Sequence, residues 1–310
     1  MKDKLVTLFG GGGFVGRYAA QALLKAGARV RIVQRDPRRA WFLKPLGGLG
    51  QTQFLRASIT DRRAVEAAAH GSDAIVNLVG ILRGDYQAVH VDGARNVAEA
   101  AAASGANALV HVSAIGADPA SDSAYGHSKA EGEAAVRAAF PQAIILRPSL
   151  VFGREDAFVN KFAAMARLMP VLPVLRGAVA FQPVYVADVG RAIAAAALDP
   201  GAHAGKSYEL GGPETITMRE LNRRICEASG RKRALLEIPD AIGALMARAT
   251  GWLPGAPINW DEWLMLQHDN VASGPGLAGF GIAPTPLAAV TDGWLTSYRR
   301  HGRFAAQPTG

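Results

Sequence analysis

The chain has 310 residues, of which 49% are hydrophobic and 19% charged, a composition that excludes a disordered protein and allows a large core. Its single cysteine, Cys226, excludes an internal disulfide. The formal net charge of +8 permits attraction to anionic partners. We expect no nucleic-acid binding, because the basic residues are scattered without an aromatic stacking platform. No apolar stretch is long enough to span a membrane, and we expect a cytoplasmic protein.

Short apolar runs alternate with helical patterns along the first half of the chain. Strands are predicted at residues 5–9, 29–33, 52–55, 74–78, 108–112 and 143–146. The clearest intervening helices are predicted at residues 14–26, 61–69, 90–103 and 125–139. Successive strand–helix–strand units of this kind predict an α/β fold with a Rossmann-type, doubly wound parallel sheet.

Prolines interrupt this rhythm after residue 150, where we expect a second, smaller α/β lobe. Helices are predicted there at residues 156–168, 186–198, 218–229, 240–250 and 260–268. The predicted organisation is an NAD(P)-binding domain over residues 1–150, to which part of 180–212 returns. A substrate or partner lobe follows over 151–300, and a loose tail over 301–310.

A glycine-rich loop lies between the first strand and the first helix. Gly10, Gly13 and Gly16 have the spacing G-x-x-G-x-x-G, and Phe14 and Val15 open the helix. Such glycines permit a tight turn, a close approach of backbone to pyrophosphate, and contact between helix and strand. The loop therefore predicts a bound dinucleotide.

The end of the second predicted strand bears on which dinucleotide is bound. Gln34 stands where an NAD-binding protein usually has an acidic residue for the ribose hydroxyls. Arg35 and Arg38 follow, and guanidinium groups there suit a 2′-phosphate, so NADP(H) is favoured. Asp36 leaves NAD open, because a small shift of the strand end would bring its carboxylate to the ribose.

A candidate catalytic set follows the fifth predicted strand. Ser113 lies at the carboxyl end of that strand, and Tyr125 and Lys129 are four residues apart on one helix face. A nearby ammonium favours the phenolate and lowers the pKa of a tyrosine toward the range useful for acid–base chemistry. The histidines show no spacing with cysteine or acidic residues that predicts a metal site, and none is expected.

The glycine loop and the Ser-Tyr-Lys set together resemble the short-chain dehydrogenase/reductase superfamily. This resemblance implies that Tyr125 is the acid or base, Lys129 the partner of cofactor and tyrosine, and Ser113 a polarising hydroxyl. It also implies cofactor contacts from "NLVG" and "RPSLVFG", namely from Leu78, Val79, Gly80, Pro148 and Ser149.

One position departs from the pattern of the extended members of this superfamily. The chain reads "HVDGARN" and has His90 where those members usually have an asparagine that supports a proton-relay water. His90 either substitutes in the relay or has a structural role.

The second half of the chain narrows the resemblance. "FGREDAFVNKFAAMARLMPVLPV" and "QPVYVADVGRAI" resemble the atypical, NAD(P)-dependent epimerase/dehydratase-like reductases that include the NADPH-binding accessory subunit of respiratory complex I. The resemblance implies a cofactor held structurally, with complex I or its assembly intermediates as partners, at the inner face of the cytoplasmic membrane. The alternative is an active NADPH-dependent oxidoreductase or epimerase that acts on a small carbonyl or quinone-like substrate.

Overall fold

The computed structural model describes residues 3–253, 256, 258–274 and 276–300. The described chain forms two compact units. The first contains the described residues of Met1–Pro148, Val186–Leu210 and Ala272–Ala283. The second contains those of Ser149–Tyr185, Gly211–Val271 and Pro284–Gly310. The predicted loose tail, residues 301–310, lies outside the described residues.

The strands are β1 (Leu5–Phe9), β2 (Arg29–Gln34), β3 (Thr52–Arg56), β4 (Ala74–Asn77), β5 (Ala108–Val112), β6 (Ile144–Pro148), β7 (Val151–Phe152), β8 (Val171–Leu175), β9 (Ala180–Phe181), β10 (Val184–Tyr185), β11 (Ser207–Leu210), β12 (Ile216–Thr217) and β13 (Ala234–Ile238). The α-helices are α1 (Phe14–Lys25), α2 (Arg62–Ala69), α3 (Gly93–Ala103), α4 (Ala124–Ala139), α5 (Phe158–Leu168), α6 (Val186–Leu198), α7 (Met218–Ala228), α8 (Asp240–Thr250), α9 (Trp260–Met265) and α10 (Leu287–Leu295).

The first unit is built on a seven-stranded sheet in the order β11-β6-β5-β4-β1-β2-β3. Every neighbouring pair in this sheet is parallel. Strand β1 lies between β2 and β4, so the chain winds in both directions from it. This confirms the predicted Rossmann-type fold. Each predicted strand of the first half is present, with ends that differ by no more than two residues.

The apolar core beneath one face of the sheet packs against helices α2, α3 and α4. It includes Phe9, Ile75, Val97, Leu109 and Val136, all buried. These residues come from strands that are buried on both faces and from one stripe of each helix, which is the pattern of a covered parallel sheet. Their burial fixes the carboxyl ends of β1, β4 and β5 at one edge of the sheet.

A short segment of the first unit comes from late in the chain, where the sequence indicated the second lobe. Ser273 donates from both its hydroxyl and its backbone N–H to Glu209 in β11, at 2.8 Å each. The Phe280 ring stacks on His203 with 4.4 Å between the ring centroids. These contacts attach residues 272–283 to the first unit.

The second unit has its own apolar core and short strand pairs. Phe152, Leu221, Trp294 and neighbours form one buried cluster between α5, α7 and α10. The strands pair as β7 with β10, β8 with β13, and β9 with β12. Among the described residues, no helix has both the length and the apolarity needed to cross a membrane.

Candidate functional site

The glycine loop after β1 is a tight turn that requires glycine at positions 10 and 16. Gly10 has a left-handed backbone with φ +83°, and its N–H donates to the carbonyl of Val33 at 2.9 Å. A Cβ on Gly16 would lie 2.5 Å from the carbonyl oxygen of Gly10, closer than real contacts allow. The loop thus lets helix α1 approach the end of β1 directly.

The amino end of α1 has the features of an anion site. Gly13 occupies the position before the helix, so no side chain caps the first backbone N–H groups. The first turn, which begins with Phe14 and Val15, contains no acidic residue. Free helix N–H groups and the positive end of the helix dipole favour a phosphate. The residues present therefore fit the pyrophosphate of a dinucleotide.

Gln34 and Asp36, at the end of β2, are both held by local hydrogen bonds. The Gln34 side-chain amide donates to the backbone carbonyl of Asp36 at 2.6 Å. The Asp36 carboxylate accepts the N–H of Arg38 at 3.2 Å and caps a 3-10 helix over Pro37–Leu46. The carboxylate that left NAD open is thus used as a helix cap, while Arg35 and Arg38 are exposed.

Gly12 is the one glycine of the loop whose neighbour is a polar side chain. A Cβ at Gly12 would lie 2.2 Å from the side-chain oxygen of Gln34. The Gln34 side chain therefore lies over the loop, in the place that a side chain at position 12 would need.

Asn77, His111 and Ser113 form a buried polar set on one face of the sheet. Asn77 lies opposite His111 in the β4–β5 register, and Ser113 follows His111 by two residues. The Asn77 amide nitrogen lies 3.2 Å from His111 Nδ1, and its amide oxygen accepts the N–H of Val79 at 3.1 Å. Sequence reasoning missed His111. Its signal was a histidine inside an otherwise apolar strand, buried except at its last residue.

His111 and Ser113 each bring a buried polar atom without a partner. Because Asn77 donates to Nδ1 of His111, the ring proton lies on Nε2. His111 Nε2 and Ser113 Oγ have no hydrogen-bond partner within the described part of the chain. Burial, Lys129 and His90 together hold the pKa of His111 well below its usual 6.5, so the ring is neutral. Ser113 thus has a hydroxyl available for a ligand at the carboxyl end of β5.

Lys129 lies buried on α4, beside this polar set. Its ammonium donates to the carbonyl of Val112 at 2.9 Å. Burial lowers the pKa of Lys129 from 10.5 to about 8, and the nearby Glu133 partly opposes this shift. Glu133 is in turn held by two hydrogen bonds from Arg147 on β6, at 2.8 Å and 2.6 Å. The charged form of Lys129 therefore depends on a fixed carboxylate.

Tyr125 lies one helical turn before Lys129 and belongs to a cluster of three rings. Its ring meets His90 edge-on at 5.5 Å and Tyr86 edge-on at 6.2 Å, centroid to centroid. Tyr86 and His90 stack at 5.2 Å. The partly buried tyrosine is thus oriented by two rings from the segment before α3.

His90 is buried in a π-helical turn, Gln87–Asp92, that leads directly into α3. Its Nε2 accepts the N–H of Ile81 at 2.9 Å, so Nδ1 carries the proton and donates to Ser128 Oγ at 2.9 Å. The Ser128 hydroxyl donates to the carbonyl of Tyr125. Burial, followed by the charge of Lys129, lowers the pKa of His90 to about 4. His90 is therefore a neutral link between two backbone segments.

The remaining predicted cofactor contacts occupy two places. The turn of Leu78, Val79 and Gly80 follows β4, with Leu78 and Val79 against Gly10 of the loop. Pro148 ends β6 and its carbonyl accepts the N–H of Ile115 at 3.2 Å. Ser149 begins the second unit, where its hydroxyl donates to Asn270. The cofactor contacts of all these residues stay predictions.

Metal ligands do not gather in the described ranges, which leave out residues 1–2, 254–255, 257, 275 and 301–310. No group of three or more histidine, cysteine or acidic side chains there could hold a metal ion.

The fold and the glycine loop define a dinucleotide-binding protein of the Rossmann class. The chain belongs to the NAD dependent epimerase/dehydratase family, which matches residues 6–211. This confirms the predicted resemblance, and the fold is one that binds NAD(P).

Three known proteins illustrate the relationships within and beyond this family. The mitochondrial NADH dehydrogenase [ubiquinone] 1 alpha subcomplex subunit 9 of Mus musculus is 34% identical over 97% of this chain and 81% of its own length. The ceramide reductase of Caulobacter vibrioides is 31% identical over 79% of this chain and 76% of its own. The structure of an NADPH-dependent quinone oxidoreductase from Escherichia coli, complexed with NADPH, is similar in fold, with TM-score 0.72, 21% identity, and coverage of 93% and 99%.

Proposed function

We propose that this protein holds NADPH as a structural cofactor and acts as an accessory or assembly subunit of a complex I-type NADH:ubiquinone oxidoreductase. The observation that carries the proposal is the similarity to a named subunit of that enzyme along 97% of the chain. Its place would be peripheral, at the inner face of the cytoplasmic membrane, with complex I or its assembly intermediates as partner.

The state of His90 supports a held cofactor over a reacting one. A relay residue must exchange hydrogen-bond partners with water, whereas both ring nitrogens of His90 are engaged with Ile81 and Ser128. A pKa of about 4 also keeps the ring from taking up a proton near neutral pH.

The proposed preference for NADPH rests on the end of β2. Arg35 and Arg38 are exposed there, and Asp36 is already used as a helix cap. Guanidinium groups match the geometry of a 2′-phosphate, and the one carboxylate of residues 34–38, that of Asp36, is held by the backbone N–H of Arg38 and lies 3.8 Å from its guanidinium.

A second candidate, an active reductase, is favoured by the buried hydroxyl of Ser113. When bound, NADPH supplies a hydride to a carbonyl carbon. Ser113 would donate a hydrogen bond to the carbonyl oxygen, and Tyr125 would deliver the proton. The ammonium of Lys129 would stabilise the phenolate that Tyr125 becomes once it has given up this proton. The similarity to a ceramide reductase agrees with this reading.

The two candidates separate in one complementation experiment with Tyr125→Phe in the full chain. If the protein is an accessory subunit, the Tyr125→Phe variant should retain NADPH through gentle purification, co-purify with complex I and support respiration like the wild type. Mass spectrometry of retained small molecules and partners reads out the first two properties. Loss of respiration with NADPH and partner still bound would instead establish the reductase.

The cofactor preference has its own test with a matched control. Arg35→Ala should weaken NADPH binding by about tenfold or more and leave NADH binding unchanged, since one charge-assisted contact to phosphate is lost. Arg39→Ala, an equally exposed neighbour, serves as the control. An Arg35→Ala protein that still prefers NADPH to the same degree would remove Arg35 from the site.

A further inference from the structure

The segment after β2 carries exposed apolar side chains among basic ones. Its 3-10 helix, Pro37–Leu46, buries only Ala40 and Leu43. Trp41, Phe42 and Leu46 are each close to half exposed, and Leu49, in the glycine-rich turn that follows, is fully exposed. Large apolar side chains that remain in water in this way indicate a surface that meets something apolar.

The 3-10 geometry orders these side chains into rows. Residues three apart eclipse one another in such a helix, so one outward row reads Arg38, Trp41, Lys44 and the other begins Arg39, Phe42. Contacts confirm the first row, because Lys44 Nζ lies 4.2 Å from the centre of the Trp41 ring. Each outward row thus alternates a cation with an aromatic ring, and the leucines lie at the end.

The charge around this surface has one sign. From Arg35 to Leu49 the chain has four basic residues, all exposed, and a single acidic one, Asp36, which caps the helix. An anionic partner complements this surface. Tryptophan and basic side chains that extend above buried apolar groups are typical of segments at the interface of a bilayer.

We propose that the surface formed by Arg39, Trp41, Lys44, Leu46 and Leu49 docks on an anionic lipid bilayer. The basic side chains contact the headgroups, each adding attraction at the charged surface, and the leucines and Trp41 enter the acyl boundary. We call these residues the lipid-docking surface. The inference does not depend on complex I or on catalysis.

The ring contacts favour a bilayer over nucleic acid. Binding of single-stranded nucleic acid stacks bases on open aromatic faces. Here Lys44 covers a face of Trp41, and the guanidinium of Arg17 covers a face of Phe42 at 4.7 Å. The exposed Leu46 and Leu49 would have no function against phosphates and bases, whereas they match hydrocarbon.

The test is co-sedimentation of the full chain with vesicles of phosphatidylcholine, with or without phosphatidylglycerol. We expect binding only to the vesicles that contain phosphatidylglycerol, and blue-shifted fluorescence that Trp41→Phe removes. Leu46→Ser/Leu49→Ser should lower the partition coefficient by about tenfold or more, since two leucines no longer enter the acyl boundary. Arg39→Gln/Lys44→Gln should lower it by a similar factor.

Matched controls come from exposed residues elsewhere. Leu168→Ser and Arg63→Gln remove an exposed leucine and an exposed arginine, and should bind vesicles like the wild type. NADPH affinity, measured alongside, shows that each variant is folded and keeps the cofactor question separate. Wild-type protein that ignores the anionic vesicles overturns the proposal. So does a leucine variant that binds them unchanged, or a single-stranded oligonucleotide that binds more tightly regardless of the leucines.

Discussion

His90 shows how one buried side chain can connect three parts of a site. Its ring joins Ile81 in the turn after β4 to Ser128 on α4, and stacks on Tyr86. An asparagine at this place would have no ring to stack on Tyr86. The histidine therefore fixes the backbone near Tyr125, and its ring proton is held by Ser128 and not free to move.

The buried, neutral His90 should make stability depend on pH on the acid side. The unfolded chain takes up a proton below pH 6.5, whereas folded His90 does so only near pH 4. The free energy of unfolding therefore falls as the pH is lowered through this window, by up to about 1.4 kcal/mol per pH unit. In His90→Gln, which keeps an acceptor for Ile81 and a donor for Ser128, this contribution should vanish. Urea unfolding across the window measures the slope.

The control for that experiment is His127→Gln, which removes an exposed imidazole from α4. His111 remains in both variants, so a loss of acid slope that occurs in His90→Gln and not in His127→Gln comes from His90. A His90→Gln protein with the same acid slope as the wild type would show that His90 does not titrate as described.

The buried Lys129 should make NADPH binding depend on pH on the alkaline side, because its ammonium loses a proton there. Its pKa of about 8 means that the ammonium is lost as the pH rises through this value. If the ammonium holds the cofactor, the Kd for NADPH should rise above pH 8 by up to about tenfold per pH unit. Fluorescence titrations on both sides of pH 8 measure it. Lys129→Met should bind more weakly throughout and show no such rise, unlike the control Lys161→Met.

At the scale of single residues, the sequence predicted site residues whose motif has a fixed spacing. It did not predict contacts between residues that only the tertiary fold brings together. Tyr125 and Lys129 could be paired because four residues make one helical turn. The partner of His111 could not be found, because Asn77 is its neighbour only through the β4–β5 register. The alternative roles of His90 likewise needed the positions of Ile81 and Ser128.

At the scale of elements, the loop between β1 and α1 ties cofactor binding to helix placement. Gly16→Ala would bring a Cβ to 2.5 Å from Gly10 O and 2.7 Å from the backbone of Gly11. Helix α1 must then move off the loop, and we expect loss of NADPH binding together with roughly 1–3 kcal/mol of stability.

Thermal unfolding and NADPH titration of Gly16→Ala measure the two effects. Gly293→Ala is the matched control, since its Cβ would meet nothing within 4 Å on helix α10. Alanine has the higher helix propensity, so this control should be neutral or more stable by up to about 1 kcal/mol. Equal NADPH affinity in Gly16→Ala and wild type would show that the close approach is dispensable.

Among the elements that the sequence did not reveal, which include strands β7–β13 and helix α10, is the 3-10 helix after β2. Its rows have a period of three, which differs from the α-helical period used to find the other helices. Viewed along the sequence, Arg38, Trp41 and Lys44 are scattered. Only the eclipsed geometry makes them one surface.

At the scale of the molecule, the short apolar runs and the intervening helices predicted six of the seven strands of the sheet, all but β11. Each element there is regular and repeats one pattern, so local signals suffice. The attachment of residues 272–283 to the first unit was not predictable, because it depends on single contacts such as Ser273 with Glu209, far apart in the chain.

The division into two units makes a final prediction about the cofactor. The glycine loop, the turn after β4 and the polar set around Ser113 all belong to the first unit. NADPH at about 100 times its Kd should add about 2.7 kcal/mol to the stability of the state that binds it. Hydrogen exchange of the cofactor-free protein should therefore slow on NADPH addition at residues 10–16, 78–81 and 111–113. The core of helix α7 in the second unit should exchange as before.

NADH at the same concentration serves as the control and should protect less. Slowed exchange in α7 alone, with the glycine loop unchanged, would contradict a cofactor held by the first unit.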